Sequence, residues 1–265
     1  MSVEVVHWNP RKPIFRGHFR IGQRVNNFGD LLGPVIANRL LDRAGIVAES
    51  KQEERRLLAV GSILRLAGEG DTIWGIGANG KSLNQSFNFS SLDVRAVRGP
   101  LTKNFLENRG IAVPDVFGDP GLLVGHLWSR RELIGSAKKK AVAVVPNFHD
   151  YPTVPARNGL VNPTSSLWKV IGEIASSDLV VGSSLHGLIV AESLGIPARL
   201  VVSGTEPLFK YQDYYEGSGR GRFDPADSID DAIKMGGEPL PDWDPKPLEN
   251  AFPFDLWTQG ARRRD

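Results

Sequence analysis

The sequence predicts an α/β fold with parallel sheets, and three features carry that expectation. Short β-branched runs alternate with helical patterns through most of the 265 residues. Glycine- and serine-rich turns follow several of the runs, where a buried strand would hand over to a helix. Two such series flank a basic stretch near residues 130–140, which suggests two Rossmann-like halves. In the first series Val3–His7 reads as a strand, and Leu31–Arg43 as a helix with apolar residues at helical spacing and Asp30 as its N-cap. Leu57–Val60, Thr72–Trp74 and Val94–Val97 read as further strands. Pro100–Asn108 reads as a helix with proline in its first turn and Gly110 at its C-cap, followed by a short strand at Asp115–Phe117. In the second series Ala141–Val145, Leu179–Val181 and Ala198–Val202 are the strands, and Ser165–Ser176 and His186–Leu194 the helices, the latter closed by Gly195. The proline-rich stretch after residue 224, with Trp243, Phe252, Phe254 and Trp257, reads as an extended segment packed back on the body. The organisation expected is a first half over 1–135, a second over 136–245 and a terminal segment over 246–265.

Composition removes several function classes. Hydrophobic residues are 41% and charged residues 23% of the chain, which fits a globular protein rather than a disordered or coiled-coil one. With no cysteine, disulfides, thiolate metal sites and cysteine nucleophiles are excluded. No apolar run approaches the ~20 residues of a membrane span, and the first residues lack the apolar core of a secretory signal, so a cytoplasmic protein is expected. The net charge is +2 but uneven: Arg11, Lys12, Arg16, Arg20 and Arg24 make the beginning basic, while residues 224–255 are acidic. The clusters Lys138–Lys140 and Arg262–Arg264 are not interleaved with aromatics, so no nucleic-acid partner is expected.

Several motifs carry chemistry. Gly75–Gly80 matches G-x-G-x-x-G after a strand, but the residues that follow have no helical stripe, so the dinucleotide context fails. Asp242-Trp243-Asp244 imitates a metal-binding D-x-D among prolines and reads as coincidence, and His7, His18 and His126 stand isolated, so no metal site is expected. Asp178–Pro197 is the richest stretch: a buried strand, the small-residue turn Gly182-Ser183-Ser184, then a helix opening near His186. Free backbone N–H groups, a helix dipole, two hydroxyls and an imidazole suit an anion that also needs a proton. A capped helix with a histidine in its first turn explains the same residues, and both readings stay open. Arg98, at a strand end before a helix, suits either a carboxylate or phosphate clamp or an ion pair. Asn26, Asn27 and Asp30 form a polar loop able to bind hydroxyls, Gly118-Asp119-Pro120 is a turn or a cleft edge, and Lys210–Tyr215 follows the last strand, placed to close over a site.

As an ordered set, Asn27–Asp30, Trp74–Gly80, Val97–Thr102, Gly118–Leu123, Gly182–Pro197 and Lys210–Tyr215 resemble the polysaccharide pyruvyltransferase family. The resemblance covers roughly residues 25–215. It implies two Rossmann-like domains facing a cleft, similar to the GT-B architecture, with phosphoenolpyruvate as donor and no cofactor. It also implies, as acceptor, a sugar of a cell-surface polysaccharide or its lipid-linked precursor, and a pyruvate ketal as product. Carried over by position, His186 is the general acid and Arg98 the catalytic and donor-binding arginine. Ser183, Ser184, Leu185, His186, Gly187 and Lys210 complete the donor site. Asn26, Asn27, Asp30 and Asp119 are acceptor-side candidates, with Asp30 or Asp119 accepting a hydroxyl proton. Where relatives have arginine before Leu-His this chain has Ser184, and where they have Pro-His it has Pro146-Asn147, with His149 two places on. A lipid-linked acceptor would draw the protein to the inner membrane face, where Arg262–Arg264 offers a weak electrostatic contact. A homo-oligomer is compatible with the sequence. Two other classes compete: a GT-B glycosyltransferase using a nucleotide sugar, and a non-catalytic glycan-binding relative.

Overall fold

The computed structural model describes residues 2–12, 22–47 and 54–258. Arg16, His18, Arg20 and the Arg262–Arg264 tail lie outside the described residues. β1 (Ser2–Val6) leads through a 3-10 turn over Phe28–Leu31 into α1 (Leu32–Arg43). β2 (Glu54–Leu58), β3 (Thr72–Trp74), β4 (Asp93–Ala96) and α2 (Pro100–Glu107) follow. The first sheet has the order β1-β2-β3-β4 with every neighbouring pair parallel. A single parallel bridge from Val97 to Phe117 continues it, and that bridge is what remains of the strand expected at Asp115–Phe117. α3 (Val124–Leu127) and α4 (Arg130–Ile134) lead to β5 (Lys140–Val144), α5 (Leu167–Ala175), β6 (Ser177–Gly182), α6 (Leu185–Ser193) and β7 (Ala198–Leu200). The second sheet has the order β5-β6-β7, again parallel. α7 (Phe209–Gly217), α8 (Ile229–Met235), α9 (Lys246–Asn250) and α10 (Asp255–Thr258) complete the described chain. Among the described residues no helix is long and apolar enough to cross a membrane.

Local chemistry explains the boundaries. Gly110 (φ 78°) and Gly195 (φ 70°) take the left-handed conformation just past α2 and α6, where a Cβ would be strained. Asp30 sits inside the 3-10 turn instead of capping α1, and its carboxylate accepts from Asn27 Nδ2 at 2.6 Å. The proline-rich end is extended only in part: residues 236–244, with Pro239 and Pro241, carry no helix or strand, after which Pro245 immediately precedes α9. Leu248, Phe252 and Leu256 are buried there. The Trp74 Nε1–H donates to the Leu248 carbonyl at 2.8 Å, and the Trp74 ring meets Phe252 edge-on. One apolar cluster runs from Leu57, Trp74 and Ala96 of the first sheet region to Val180 and Leu200 of the second. Burial of such side chains, at ~25 cal/mol per Å², is the main stabilising term.

A buried ion pair joins the two sequence series. Arg98, just after β4, donates from Nε to Asp213 Oδ2 of α7 at 3.0 Å, and its Nη2 lies 2.9 Å from the same oxygen. Its Nη1 donates to Ser62 Oγ at 2.7 Å and its Nη2 to the Ala78 carbonyl at 3.0 Å. Asp213 accepts in turn from the Thr102 N–H at 2.9 Å and the Thr102 hydroxyl at 2.6 Å. Arg98 and Asp213 are both fully buried. Gly77 lies against the guanidinium, Gly99 against the Asp213 carbonyl and Gly217 against the Arg98 carbonyl, and a Cβ at any of the three would overlap its neighbour. Removing one partner of a buried pair strands the other charge. Asp213→Asn and Arg98→Met should each lower stability by about 3–5 kcal/mol and the melting temperature by roughly 6–20 °C. Calorimetry checks this, and a variant within 1–2 °C of the parent would contradict it.

Candidate functional site

Parallel strands place all their carboxyl ends on one edge, and ligands of open α/β sheets bind outside that edge. Here the residues following the strands of both sheets meet. Trp8 follows β1, Ser62 and Arg65 follow β2, and Asn79 and Lys81 follow β3. Asn147, Phe148 and His149 follow β5, Ser184, Leu185 and His186 follow β6, and Glu206 and Lys210 follow β7. Together with Asn27 and Asp30 they line a cavity of about 400 Å³, within the usual span of small-ligand sites. A second hollow of about 890 Å³ beside Trp128 and Trp168 brings together no buried titratable side chains, so the first is the candidate site.

His186 is the centre of that cavity. It lies in the first turn of α6, which Ser184 caps by accepting from the Gly187 N–H at 3.2 Å. Its Nδ1 edge packs on Gly29, where a Cβ would overlap the ring, so only glycine lets the Phe28–Leu31 turn approach this closely. Its Nε2 is buried with no hydrogen-bond partner and faces Asp119 Oδ2, also unpartnered, at 3.8 Å. Burial, with Lys210 and Arg98 adding to it, pushes the imidazole down to about 3. Burial likewise pushes Asp119 up to about 6, against the opposing Gly121 N–H and the charge of Arg98. Asp30 rises to about 6 through burial, offset in part by the Asn27 hydrogen bond and Lys210. Two carboxyls raised toward neutral pH beside an imidazole held neutral are a set of groups that acid–base chemistry can use.

Much of the rest of the wall is polar and hydrogen-bonded. Asp150 accepts from the hydroxyls of Ser183 and Ser203 at 2.7 Å each, from Thr205 at 2.8 Å and from Asn147 Nδ2 at 2.6 Å. Burial would raise its carboxyl, but these donors outweigh it and hold it below the ordinary value. Glu206 binds Lys210 at 3.0 Å and pairs with Lys81 as well. Burial would raise Glu206, yet the two lysines keep it below its ordinary value, while burial lowers Lys210. At the rim Trp8 meets Phe148 edge-on, with centroids 6.1 Å apart.

Of the expected residues, Ser184, Leu185, His186, Lys210, Asn27 and Asp30 line the cavity. Five do not. Arg98 reaches the wall only through Ser62, because its guanidinium is committed to Asp213. Ser183 is held below the surface by Asp150, and its carbonyl accepts from the Tyr211 hydroxyl at 2.7 Å. Gly187 faces Val145 and serves the helix cap. Asn26, in a left-handed conformation (φ 55°), turns out to Asn9. Asp119 lies behind the imidazole, capping its own turn through the Gly121 N–H at 2.9 Å. Lys210–Tyr215 does not close over the site as a flap: it forms most of α7, with Tyr211, Asp213, Tyr214 and Tyr215 buried. Sequence reasoning missed Trp8, Arg65, Lys81, Phe148 and Glu206. Their shared signal is position, each lying within a few residues of a strand's carboxyl end.

Comparisons with known proteins give a family. The family model for polysaccharide pyruvyl transferase matches residues 55–204, more than half of the chain. The chain is 31% identical over 130 residues to the succinoglycan biosynthesis protein ExoV of Rhizobium meliloti (strain 1021), covering 46% of this chain and 39% of that protein. It therefore spans about two fifths of that relative's length. It is also similar, at 14% identity and a TM-score of 0.47, to the crystal structure of a functionally uncharacterised protein from Klebsiella pneumoniae subsp. pneumoniae NTUH-K2044 (76% of this chain and 87% of that one).

The depressed imidazole has a measurable consequence. A histidine lowered by folding binds its proton only in the unfolded chain, so its contribution to stability is full above about pH 6.5 and falls on acidification. For His186 the window runs from about 6.5 down to about 3. His186→Gln should remove that component, so the stability difference between variant and parent should shift by up to about 1.4 kcal/mol per pH unit between pH 6 and 4. Denaturant unfolding across that range reads it. A pH-independent difference would contradict the assigned direction.

Proposed function

The chain belongs to the polysaccharide pyruvyl transferase family, and from that premise we propose that it moves pyruvate from phosphoenolpyruvate onto two hydroxyls of a saccharide, forming a cyclic ketal. The observation that carries this reading is His186, set at a helix N-terminus between Asp30, Asp119 and Lys210 where the carboxyl ends of both sheets meet. The donor carries a phosphate and a carboxylate, and the cavity offers Lys81, Lys210 and Arg65 to them. These side chains supply cationic contacts on a chain that has Ser184 in place of a family arginine. The resting imidazole is neutral. Anionic donor groups beside it stabilise its protonated form, and Asp119, behind the ring, holds the imidazolium in orientation. The proton passes to the methylene carbon, which becomes the methyl group and leaves C2 electrophilic. One saccharide hydroxyl adds at C2, losing its proton to Asp30. Phosphate departs with the C–O bonding pair, and the second hydroxyl closes the ring as its proton returns to the now neutral His186. Asn27 orients Asp30 through the 2.6 Å bond, and Trp8 with Phe148 offers the acceptor an aromatic face. Each role needs an interaction stronger in the transition state than in the ground state, and charge placed beforehand supplies that.

Thermal unfolding with phosphoenolpyruvate, UDP-sugars and GDP-sugars added separately, combined with phosphate release in the presence of a panel of saccharides, tests the reading. Phosphoenolpyruvate at about 100 times its dissociation constant should stabilise the protein by about 2.7 kcal/mol. His186→Ala should keep that shift while losing turnover by about 10²–10⁴-fold. Stabilisation by a nucleotide sugar alone would move the protein to the glycosyltransferase class. Near-full turnover by a folded His186→Ala would remove the acid role.

A further inference from the structure

We propose that Lys81, Glu206 and Lys210 form a gated anion site, in which Glu206 holds the two lysines until the donor's phosphate displaces it. The identity of the displacing group rests on the phosphoenolpyruvate reading above; the gate itself rests on the following geometry. Lys81 comes from the turn after β3 in the first sheet region, and Lys210 from α7 beyond the second sheet. Glu206, in the loop after β7, reaches both, at 3.0 Å from Lys210 Nζ and in a direct pair with Lys81. Its side chain is only 6% exposed, yet it lines the cavity, so an anion of the protein's own already sits among the cations there. Arg65 lines the same cavity and makes no ion pair among the described residues.

The tether suits displacement. The Glu206 N–H donates to Ser203 Oγ at 2.9 Å, and Ser203 is held by Asp150 at 2.7 Å, so the backbone is fixed while the side chain has three rotatable bonds. Pro207 and Phe209 pack so closely on Gly80 that a Cβ there would lie 2.9 Å from Pro207, which keeps Lys81 and the loop bearing Glu206 side by side. Opening the gate therefore needs only a turn of the Glu206 side chain. A phosphate brings more charge and one more acceptor oxygen than a carboxylate, so it can take both lysines where a monoanion competes poorly. The gate selects dianions, and it spares the free protein two unpaired, partly desolvated ammonium groups.

Isothermal titration of inorganic phosphate into the parent protein, Glu206→Gln, Glu206→Ala and Lys81→Ala tests this, with phosphoenolpyruvate titrated in parallel. Removing the internal competitor should tighten phosphate binding about tenfold or more in both Glu206 variants, and Lys81→Ala should weaken it about tenfold. Unchanged or weaker phosphate binding in a Glu206 variant that unfolds cooperatively would overturn the gate. Lys81 is half-exposed, so its variant keeps the question decidable if the Glu206 variants fail to fold; unchanged binding there would overturn it too. Tighter phosphate binding without any response to phosphoenolpyruvate would support the gate and remove the donor assignment. Turnover of phosphoenolpyruvate with unaltered phosphate binding in the Glu206 variants would do the reverse.

Discussion

The Arg98–Asp213 pair is the constraint from which most of the site follows. Two unit charges out of water are tolerated only when every donor and acceptor is matched, and here Ser62, Ala78 and Thr102 complete the set. The pair needs backbone at van der Waals distance, which explains glycine at 77, 99 and 217. Asp213 stands one turn after Lys210 on α7, and residues three apart on a helix share a side. Fixing the aspartate against the first sheet region thus fixes the lysine in the cavity. A motif that reads as a ligand clamp turns out to set the position of a residue that faces the ligand space.

Legibility in the sequence followed the range of the interaction that decides each feature. Strand and helix positions depend on local periodicity and on punctuation by glycine and proline, so β3, α2 and α6 were readable to within a residue or two, with Gly110 and Gly195 where C-terminal glycines belong. The failure of Gly75–Gly80 as a dinucleotide loop was equally local, because no helix opens there and only a 3-10 turn follows. The inward or outward sense of a motif's side chains was not local. Arg98 is 115 residues from its partner, and nothing near it in sequence says that its charge is already taken. Asp30 looked like a helix cap because the residue after it starts an apolar stripe. Its burial beside Lys210 and under Asn27 comes from β-strand and helix ends that sequence proximity does not reveal. Glu206 and Lys81 lay in stretches without pattern, and become meaningful only once parallel strands bring their carboxyl ends together.

The polar groups around the cavity divide into two kinds, and the division separates scaffold from chemistry. Asp150 has four side-chain donors on its two oxygens, the arrangement of a group whose task is to hold β5, β6 and the loop after β7 in register. His186 Nε2 and Asp119 Oδ2 have none, although both are buried and 3.8 Å apart. Unmatched buried polar atoms cost stability, commonly about 1–3 kcal/mol each, and a fold that satisfies Asp150 so completely, in part through Ser183 three residues before His186, has the means to satisfy these. Leaving them unmatched keeps one proton's worth of exchange available where the cavity meets the helix N-terminus. Among the described residues consistency lapses at this pair and at the Tyr215 hydroxyl, and of these only the pair borders the cavity, which is the pattern expected where a structure gives up stability at a site.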